Sequence, residues 1–600
     1  MEKTSFSVLV LPVLEAGRVE LRWRQAARQG GWRQALMAGP WEGAWWSIDL
    51  RELQLADGAY EYEFVISRGN TRQPVPDPYA EELSALGPIR AVLHIRDGER
   101  VRPTFSWDEE LPASGRLPDN NELVIYERPM RLGPLNGLAP LHPVAIEHLD
   151  EAVARSHVNC IQMLPIQDSP DTLNGGYGTR FFFAPDRGIA TPLALRAFIK
   201  RCHRRGIRVI MDLVMNHARD CPLRELAFDW FFLRDGKEEP DANGNPRPAW
   251  GGDIFRYRTE RGGRFHAREL QYEVARFFIT EYHIDGFRLD EFKGIDNYEF
   301  IQTLTERAHN AHHRIFGGKR PFIVIAEDSA RRAEVTNRHA YRGRRVADAI
   351  WDFDFRDEVR QVASNSIPAE PGDSARSDRV RRLLTVGRCE LFGPHRRTSR
   401  LFGDMTNRVA YCTSHDIPAG EEQRLMPYYA GQAGDREAAT RMVHSTFALM
   451  LSAAGIPMFL AGEEADCGSH APGGICLEQR IRDLIRTRVT HQALHRNELE
   501  FFGFSVGTAN AGFHPRFDAA DGERLFAYCR TGGMPLGVSG QVIVVANCGP
   551  TDYPEVDLDW PWGCEPEILE VGGEGSDLPV VSGYRARLAL PPFAVRMFTV

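Results

Sequence analysis

The sequence predicts an α/β protein: a (β/α)8 TIM barrel that follows an N-terminal β-sandwich and precedes a C-terminal antiparallel β-domain. Two observations lead to this prediction. In the middle of the chain, apolar runs alternate with helical segments and end in polar side chains, as the parallel strands of a barrel do at one rim. At both ends of the chain, short runs alternate between apolar and polar residues and are separated by Gly and Pro turns.

The bulk composition is that of an ordinary globular protein. A length of 600 residues allows three domains, because a barrel runs to roughly 250 residues or more as one unit. The formal net charge of −9 and a pI near 6.1, without long Lys or Arg runs, argue against a nucleic-acid partner. No apolar run approaches the roughly 20 residues of a membrane span. We therefore expect neither a nucleic-acid partner nor membrane attachment, and the oligomeric state stays open.

The first residues and the cysteines favour a cytoplasmic protein. The apolar run at residues 6–14 is not followed by a small-x-small cleavage site, so we interpret it as a strand and not as a signal peptide. The ten cysteines show no paired spacing of a disulfide framework or a zinc site. Cys160 and Cys412 fall within predicted barrel strands, where a small buried thiol is common.

Residues 1–120 predict the β-sandwich. Alternating runs occur at residues 19–23, 45–50 and 60–66. We interpret the tryptophans of this segment mainly as buried aromatic anchors, namely Trp32, Trp41, Trp45 and Trp46. Residues 111–120 are rich in Pro, Gly and Asp and predict a linker.

Residues 121–504 predict the barrel. The expected strands are residues 124–127, 160–166, 207–212, 285–290, 322–326, 346–350, 409–414 and 456–460. Helices are expected at 148–158, at 477–494 and after Thr191, where Pro192 opens the first turn and Gly206 follows the last. An irregular insertion at about 218–275 interrupts this alternation, and short strands after it make residues 505–600 the C-terminal β-domain.

Polar side chains gather where these predicted strands end. Asp290 follows the fourth strand, and Arg288, two residues earlier, projects from the same side. Taken alone, this Arg-x-Asp pair is typical of a structural ion pair. The other strand ends carry further polar groups, at Asp212, Asn216, His217, Glu327, His415 and Asp416. One shared site explains these polar groups better than chance occurrences at separate strand ends.

At these residues the sequence resembles a known family. Residues 209–217, 286–290, 326–328 and 414–416 resemble, in order and spacing, the four signature regions of the α-amylase family, glycoside hydrolase family 13. The resemblance covers well over half the chain. The N-terminal segment is similar to the sandwich of branching enzymes, isoamylases and trehalohydrolases and to carbohydrate-binding module family 48, so its tryptophans have stacking on sugar rings as an alternative role.

The resemblance implies roles for the residues that match. Asp290 matches the nucleophile and Glu327 the acid, which needs a raised pKa; their carboxyl groups should lie roughly 5 to 5.5 Å apart. Asp416 matches the group that binds hydroxyls of the −1 sugar and helps to distort its ring. The matching substrate-binding residues are Tyr177, which stacks under this ring, His217, His415, Arg288, which keeps Asp290 ionised, and Glu291.

Three further points concern the surroundings of this site. Asp212 matches a supporting residue that orders Arg288. Gly178 stands where many relatives carry aspartate. Asn216 matches a calcium ligand of many secreted amylases, but the rest of that site is not recognisable. We therefore predict no metal and no cofactor.

The matching residues imply an α-glucan substrate, namely starch, glycogen or maltooligosaccharides, but leave the reaction open. Hydrolysis and transfer differ only in what attacks the glycosyl-enzyme. Residues 326–329 and 414–416 resemble branching enzymes, and we favour a 1,4-α-glucan branching enzyme. An α-amylase or a maltooligosyl trehalose trehalohydrolase is the alternative, because Asn216-His217 and residues 282–290 resemble hydrolases. A third alternative is a barrel without catalytic activity that binds carbohydrate, although family members of this kind usually lack one of the carboxylates.

Overall fold

The computed structural model shows a closed barrel of eight parallel strands, which confirms the predicted fold class. It describes residues 6–26, 31–130, 156–170, 175–241, 243–366, 373–386, 402–419, 423–465, 476–501, 503–506, 525–563, 567–573 and 578–600. The barrel strands, in order around the barrel, are Ile125–Arg128, Cys160–Met163, Arg208–Leu213, Gly286–Leu289, Ile323–Ala326, Ala349–Trp351, Arg408–Tyr411 and Ile456–Leu460.

The barrel strands lie close to their predicted positions because almost all of their residues are buried. Strands covered on both faces have continuous apolar runs, which are visible in a sequence. The sixth strand, Ala349–Trp351, is shorter than the run at 346–350 that predicted it. Cys160 begins the second strand, whereas Cys412 lies just beyond the seventh, and both thiols are buried.

The helices of the described residues alternate with these strands. They are Pro192–Arg204, Leu223–Phe231, His266–Tyr282, Phe292–Ile295, Tyr298–Phe316, Phe353–Ser364, Asp373–Leu384, Asp416–Ala419, Leu425–Ala433, Arg436–Ser452 and Leu477–Thr490. As predicted, the Thr191 side chain accepts from the N–H of Ala194, and Pro192 begins the helix. None of the helices in this part of the chain has the length and apolar character to cross a membrane.

One of the other two predicted helical segments is shorter in the structure, and the second cannot be compared with it. The helix predicted at 477–494 ends at Thr490 in the structure, and a 3-10 turn, Gln492–His495, follows it. Most of the helix predicted at 148–158 lies outside the described residues. The insertion contains helix Leu223–Phe231 and a two-stranded sheet in which His217–Ala218 pairs with Asp253–Ile254.

The N-terminal part forms two antiparallel sheets, which confirms the predicted sandwich. The smaller sheet has the order Val8–Pro12, Trp45–Asp49, Ala38–Trp41. The larger has the order Arg33–Leu36, Arg18–Gln25, Gly58–Arg68, Ala91–Arg96, Glu99–Val101, and Thr71–Val75 pairs with Gly58–Arg68.

The tryptophans of the sandwich differ in burial. Trp46 lies in the core at 2% exposure, as predicted for an anchor. Trp41 is 57% exposed, so the anchor interpretation is wrong for it. The guanidinium carbons of Arg22 and Arg24 lie 4.5 and 4.9 Å from the ring centroid of Trp32.

The C-terminal part also forms two antiparallel sheets, as the fold class predicted. One has the order Leu499–Phe501, Leu525–Arg530, Val542–Asn547, Ala594–Thr599, Leu569–Val571. The other has the order Phe504–Val506, Tyr553–Asp559, Arg585–Leu590, Val580–Ser582. Apolar side chains of both sheets, with Trp560 and Phe598 among the most buried, form one core.

A buried ion cluster joins the end of the N-terminal segment to the barrel residues before the fourth strand. His203 contacts Glu110 through Nδ1 at 2.6 Å and Asp285 through Nε2 at 2.8 Å. Arg320 contacts the same two carboxylates at 3.0 and 3.2 Å. Each buried charge therefore has opposite charges around it, as a stable buried cluster requires.

Burial and the neighbouring charges have opposite effects on the pKa values of the groups in this cluster. Burial raises the pKa of Asp285, but the charges of His203 and Arg320 lower it by more than this, and the resulting pKa lies well below the ordinary value. The pKa of Glu110 is lowered in the same way by hydrogen bonds from His203 and His283 that outweigh burial. Burial lowers the pKa of His203, but the charge of Asp285 outweighs this and raises it.

We predict that Asp285→Asn costs roughly 3–5 kcal/mol of unfolding free energy, because it leaves buried cations with one carboxylate fewer. The carboxylates with lowered pKa values contribute their full stabilisation above about pH 4. This contribution is lost as the pH falls towards their folded-state pKa values. The raised pKa of His203 acts oppositely: its contribution is complete below about pH 6.5 and is lost as the pH rises through the folded-state value.

Urea midpoints measured across the acid range test this prediction. The variant should lose less stability on acidification than the native protein does. Asp229→Asn, in an exposed pair with Arg234 at 3.0 Å, is the control and should cost less than about 1 kcal/mol. Equal losses for the two variants would contradict the role of the cluster.

Candidate active site

The guanidinium of Arg288 lies between two carboxylates. The third and fourth strands pair in parallel with Asp212 opposite Arg288, and one Nη of Arg288 donates to Asp212 Oδ2 at 2.7 Å. The same nitrogen donates to Asp290 Oδ1 at 3.0 Å. Asp290 follows Arg288 by two positions and therefore projects from the same side of the strand. Arg288 and Asp212 are fully buried, and Asp290 is partly open.

Neutral donors also contact the two carboxylates. Tyr177 donates its hydroxyl to Asp212 Oδ2 at 2.6 Å. Asn216 donates from Nδ2 to Asp290 Oδ2 at 3.0 Å. Arg288 and Asn216 thus hold one oxygen each of Asp290, and donors of this kind favour an ionised carboxylate. The sequence interpretation considered Asn216 only as a calcium ligand and missed this contact.

His217 and the insertion border the same residues. The Oδ1 atom of Asn216 is hydrogen-bonded to Nδ1 of His217, and this orients the amide that donates to Asp290. Trp250 is 45% exposed and lies over Gly294, where an added Cβ would stand 2.4 Å from the indole ring. Glu291 has a positive φ of 38° and precedes helix Phe292–Ile295. The insertion sequence gave no signal that singled out Trp250.

Gly178 lies against Arg219 in this structure. A Cβ at Gly178 would stand 3.2 Å from the Cβ of Arg219, so the arginine stem occupies the adjacent space. The guanidinium of Arg219 donates to the backbone oxygens of Trp250 and Gly251 at 3.3 and 3.2 Å. Many relatives carry aspartate at this position, whereas this chain has a glycine. The glycine packs against an arginine that is hydrogen-bonded to the backbone of Trp250 and Gly251.

A second cluster follows the seventh strand. His415 contacts Glu127 twice, from its backbone N–H at 2.7 Å and through Nδ1 at 2.8 Å. Its Nε2 lies 3.2 Å from Asp416 Oδ1, and Ser414 donates to Asp416 Oδ2 at 3.3 Å. Asp416 has a half-exposed side chain, whereas Glu127 is buried. The sequence interpretation placed Glu127 in a strand without seeing its role in holding His415.

Glu327 follows the fifth strand directly and is 7% exposed. Burial, with the charges of Glu327 and Asp416 adding to it, raises the pKa of Tyr411 well above its ordinary value. The next residue, Asp328, accepts from the guanidinium of Arg332 at 2.7 and 2.8 Å.

Metal ligands do not gather in the described residues: no group of three or more His, Cys, Asp or Glu side chains there is placed to hold an ion. The structure thus brings Tyr177, Asp212, Asn216, Arg288 and Asp290 into one cluster, and Glu127, His415 and Asp416 into another.

The fold is similar to solved structures of low sequence identity. A pullulanase from Paenibacillus barengoltzii, in complex with maltohexaose and alpha-cyclodextrin, superimposes with a TM-score of 0.64 at 18% identity, over 99% of this chain and 93% of that one. A putative alpha amylase from Salmonella typhimurium gives 0.63 at 18% identity, over 100% and 99% of the two chains. These similarities concern the fold alone.

Relatives by sequence carry related names. The 1,4-alpha-glucan branching enzyme GlgB of Corynebacterium jeikeium is 27% identical over 45% of this chain and 38% of its own. The malto-oligosyltrehalose trehalohydrolase of Saccharolobus solfataricus is 26% identical over 44% and 42%. The branching enzyme of Myxococcus xanthus is 25% identical over 73% and 60%. The chain thus spans less than two thirds of the length of these relatives.

The model of the alpha amylase catalytic domain matches residues 146–488, which is more than half of the 600 residues. This match agrees with the resemblance of the four signature segments, and the chain therefore belongs to the α-amylase family.

Proposed function

We propose that the two clusters form one active site, which cleaves α-1,4-glucosidic bonds with retention of configuration. The observation that carries this proposal is the carboxylate of Asp290, held by Arg288 and Asn216 at the end of a strand in a closed parallel barrel. In such barrels the carboxyl ends of all strands open at one rim, which is where active sites lie. Glu327 and Asp416 follow two other strands of this barrel.

The chemistry requires two carboxyl groups in different states. Asp290 attacks the anomeric carbon, the C1–O bond breaks, and Glu327 gives its proton to the departing oxygen. Glu327 then takes a proton from the acceptor hydroxyl as that oxygen attacks C1 and releases Asp290. The burial of Glu327 supports the protonated form, because a low-dielectric surrounding disfavours a charged carboxylate.

The remaining residues bind the sugar at the −1 position. The half-buried ring of Tyr177 offers a stacking face, and its hydroxyl is fixed by Asp212. His415 is held by Glu127, and Asp416 keeps half of its side chain exposed to accept from sugar hydroxyls. We also assign to this sugar His217, whose ring is hydrogen-bonded to Asn216, and Glu291, which follows the nucleophile in the sequence. The sequence placed Arg288 among the substrate-binding residues, but its side chain is fully buried, so we assign it to positioning Asp290 instead.

Among the reactions of this chemistry we favour branching, in which a glucan hydroxyl attacks the glycosyl-enzyme and forms an α-1,6 linkage. The names of two relatives, from Corynebacterium jeikeium and Myxococcus xanthus, support this choice. Hydrolysis is the second candidate, because the relative from Saccharolobus solfataricus is a trehalohydrolase and pullulanases share the fold. We place the protein in the cytoplasm, with α-glucan as its substrate and without a metal or cofactor.

Incubation with amylose separates these reactions. We predict loss of iodine colour and formation of new α-1,6 bonds, with few new reducing ends. Iodine absorbance, α-1,6 bonds and reducing ends are all measured on the same sample. Reducing ends without new branches would contradict branching and support a hydrolase. Free trehalose from a maltooligosyl trehalose substrate would support the trehalohydrolase. Turnover of none of these substrates would support a silent binding barrel.

We predict that Arg288→Lys lowers kcat by roughly 10²- to 10³-fold, because one ammonium cannot reproduce the planar contact with Asp212 and Asp290. KM should change much less, since the guanidinium is buried and little of it is open to a sugar. Arg102→Lys is a matched control: Arg102 also bridges two carboxylates, Glu81 and Glu281, but these lie in the sandwich segment and in helix His266–Tyr282 and not at the strand ends that form the site. Equal losses of kcat in both variants would contradict the positioning role.

A further inference from the structure

We infer that Arg247, a buried residue of the insertion, is a positioning residue for the nucleophile Asp290. This inference rests on the proposed function, which gives Asp290 its role. The side chain of Arg247 is fully enclosed and donates to two backbone carbonyl oxygens. Its Nε donates to that of Gly294 at 2.8 Å, and one Nη donates to that of Phe255 at 3.1 Å. Both backbone groups are connected to Asp290, one through the chain and one through hydrogen bonds.

The first connection is the short turn that follows the nucleophile. Gly294 lies in helix Phe292–Ile295, which begins just after Asp290. Its N–H donates to the carbonyl oxygen of Glu291 at 2.7 Å, and this hydrogen bond closes the turn. Arg247 therefore fixes the far end of a turn that Asp290 immediately precedes.

The second connection passes through Asn216. Phe255, whose carbonyl oxygen accepts from Arg247, donates its N–H to the carbonyl oxygen of Asn216 at 3.2 Å. Asn216 in turn donates from Nδ2 to Asp290 Oδ2 at 3.0 Å. One guanidinium thus joins the two flanks of the nucleophile, namely the turn at Gly294 and the backbone at Asn216.

Other residues of the insertion hold the same two flanks. The hydroxyl of Tyr257 donates to the carbonyl oxygen of Met215 at 2.6 Å, on the side of the third strand. The guanidinium of Arg258 donates to the carbonyl oxygen of Asp296 at 2.7 Å, on the side of the turn. Each of these two residues holds one flank, whereas Arg247 contacts the backbone that leads to both.

The burial of Arg247 makes these contacts rigid. Burial lowers the pKa of Arg247, although the charge of Glu239, whose carboxylate lies 3.4 Å from one Nη, opposes this effect. A guanidinium keeps its charge in proteins, so a buried one is stable only while its partners stay in place. Its donors also point in fixed directions within one plane. Arg247 therefore sets the relative position of Gly294 and Phe255, which a flexible ammonium group would not do.

Arg247→Lys in the full chain tests this inference. We predict that kcat for amylose falls by roughly 10- to 100-fold, because a small misplacement of a reacting group slows the reaction strongly. KM should change much less, since the side chain is enclosed and contacts backbone. Arg256→Lys is the matched control: this buried arginine also contacts a backbone carbonyl, that of Phe232 at 3.1 Å, and a carboxylate, that of Glu238 at 2.7 Å, but both partners belong to the insertion. It should leave kcat unchanged when both variants are assayed well below their unfolding midpoints.

The pH profile of kcat/KM separates positioning from a merely structural role. The hydrogen bond from Asn216 favours the ionised form of Asp290, so a looser Asn216 makes this carboxylate easier to protonate. The acid limb of the profile should therefore move to higher pH by about half a pH unit or more in Arg247→Lys. In Arg256→Lys the limb should stay where it is in the native protein.

A second variant keeps the test valid if Arg247→Lys fails to fold. In Gly294→Ala the added Cβ would stand 2.4 Å from the Trp250 indole, so the turn must shift while Arg247 is retained. This variant should show the same loss of kcat and the same shift of the acid limb. Equal kcat in the Arg247 and Arg256 variants, a kcat loss without a shift of the limb, or native kinetics of Gly294→Ala would overturn the inference. Failure of the proposed function is distinguishable, because it would appear as glucan turnover by Asp290→Asn.

Discussion

The buried guanidinium of Arg288 is the charge on which the proposed site depends. A buried cation is costly unless opposite charges surround it, and Asp212 and Asp290 supply two of them. One cation between two carboxylates leaves one negative charge in excess. Asp212 is enclosed and Asp290 is partly open, so Asp290 is the carboxylate that a developing oxocarbenium ion can approach. Tyr177 and Asn216 hold the carboxylates without changing this balance.

The fold was largely predictable because its signals are local. Barrel strands buried on both faces appear as continuous apolar runs, and the Thr191–Pro192 start of a helix is set by neighbouring residues. Packing environments were less predictable. Alternation places Trp45 and Trp46 on opposite faces of a strand, but only the folded sheet shows that Trp46 enters the core and Trp45 lines a groove. The same limit explains why Trp41 was wrongly expected to be buried.

The candidate site was predictable for those residues that lie within the sequence motifs. Asp290 and Arg288 share one strand, so their common direction follows from the sequence. The contact between Glu127 and His415 joins residues 288 positions apart and depends on the register of a closed barrel. The hydrogen bond from Asn216 to Asp290 and the position of Trp250 over Gly294 likewise arise from tertiary packing, which no periodicity encodes.

Trapping the glycosyl-enzyme tests the central claim most directly. An α-maltosyl fluoride has a leaving group that needs little help from an acid, so Glu327→Gln should allow the first step and slow the second, which needs the base. Mass spectrometry of the digested variant should then find the glycosyl group on Asp290. An adduct on another residue, or fluoride release that survives Asp290→Asn, would contradict the account.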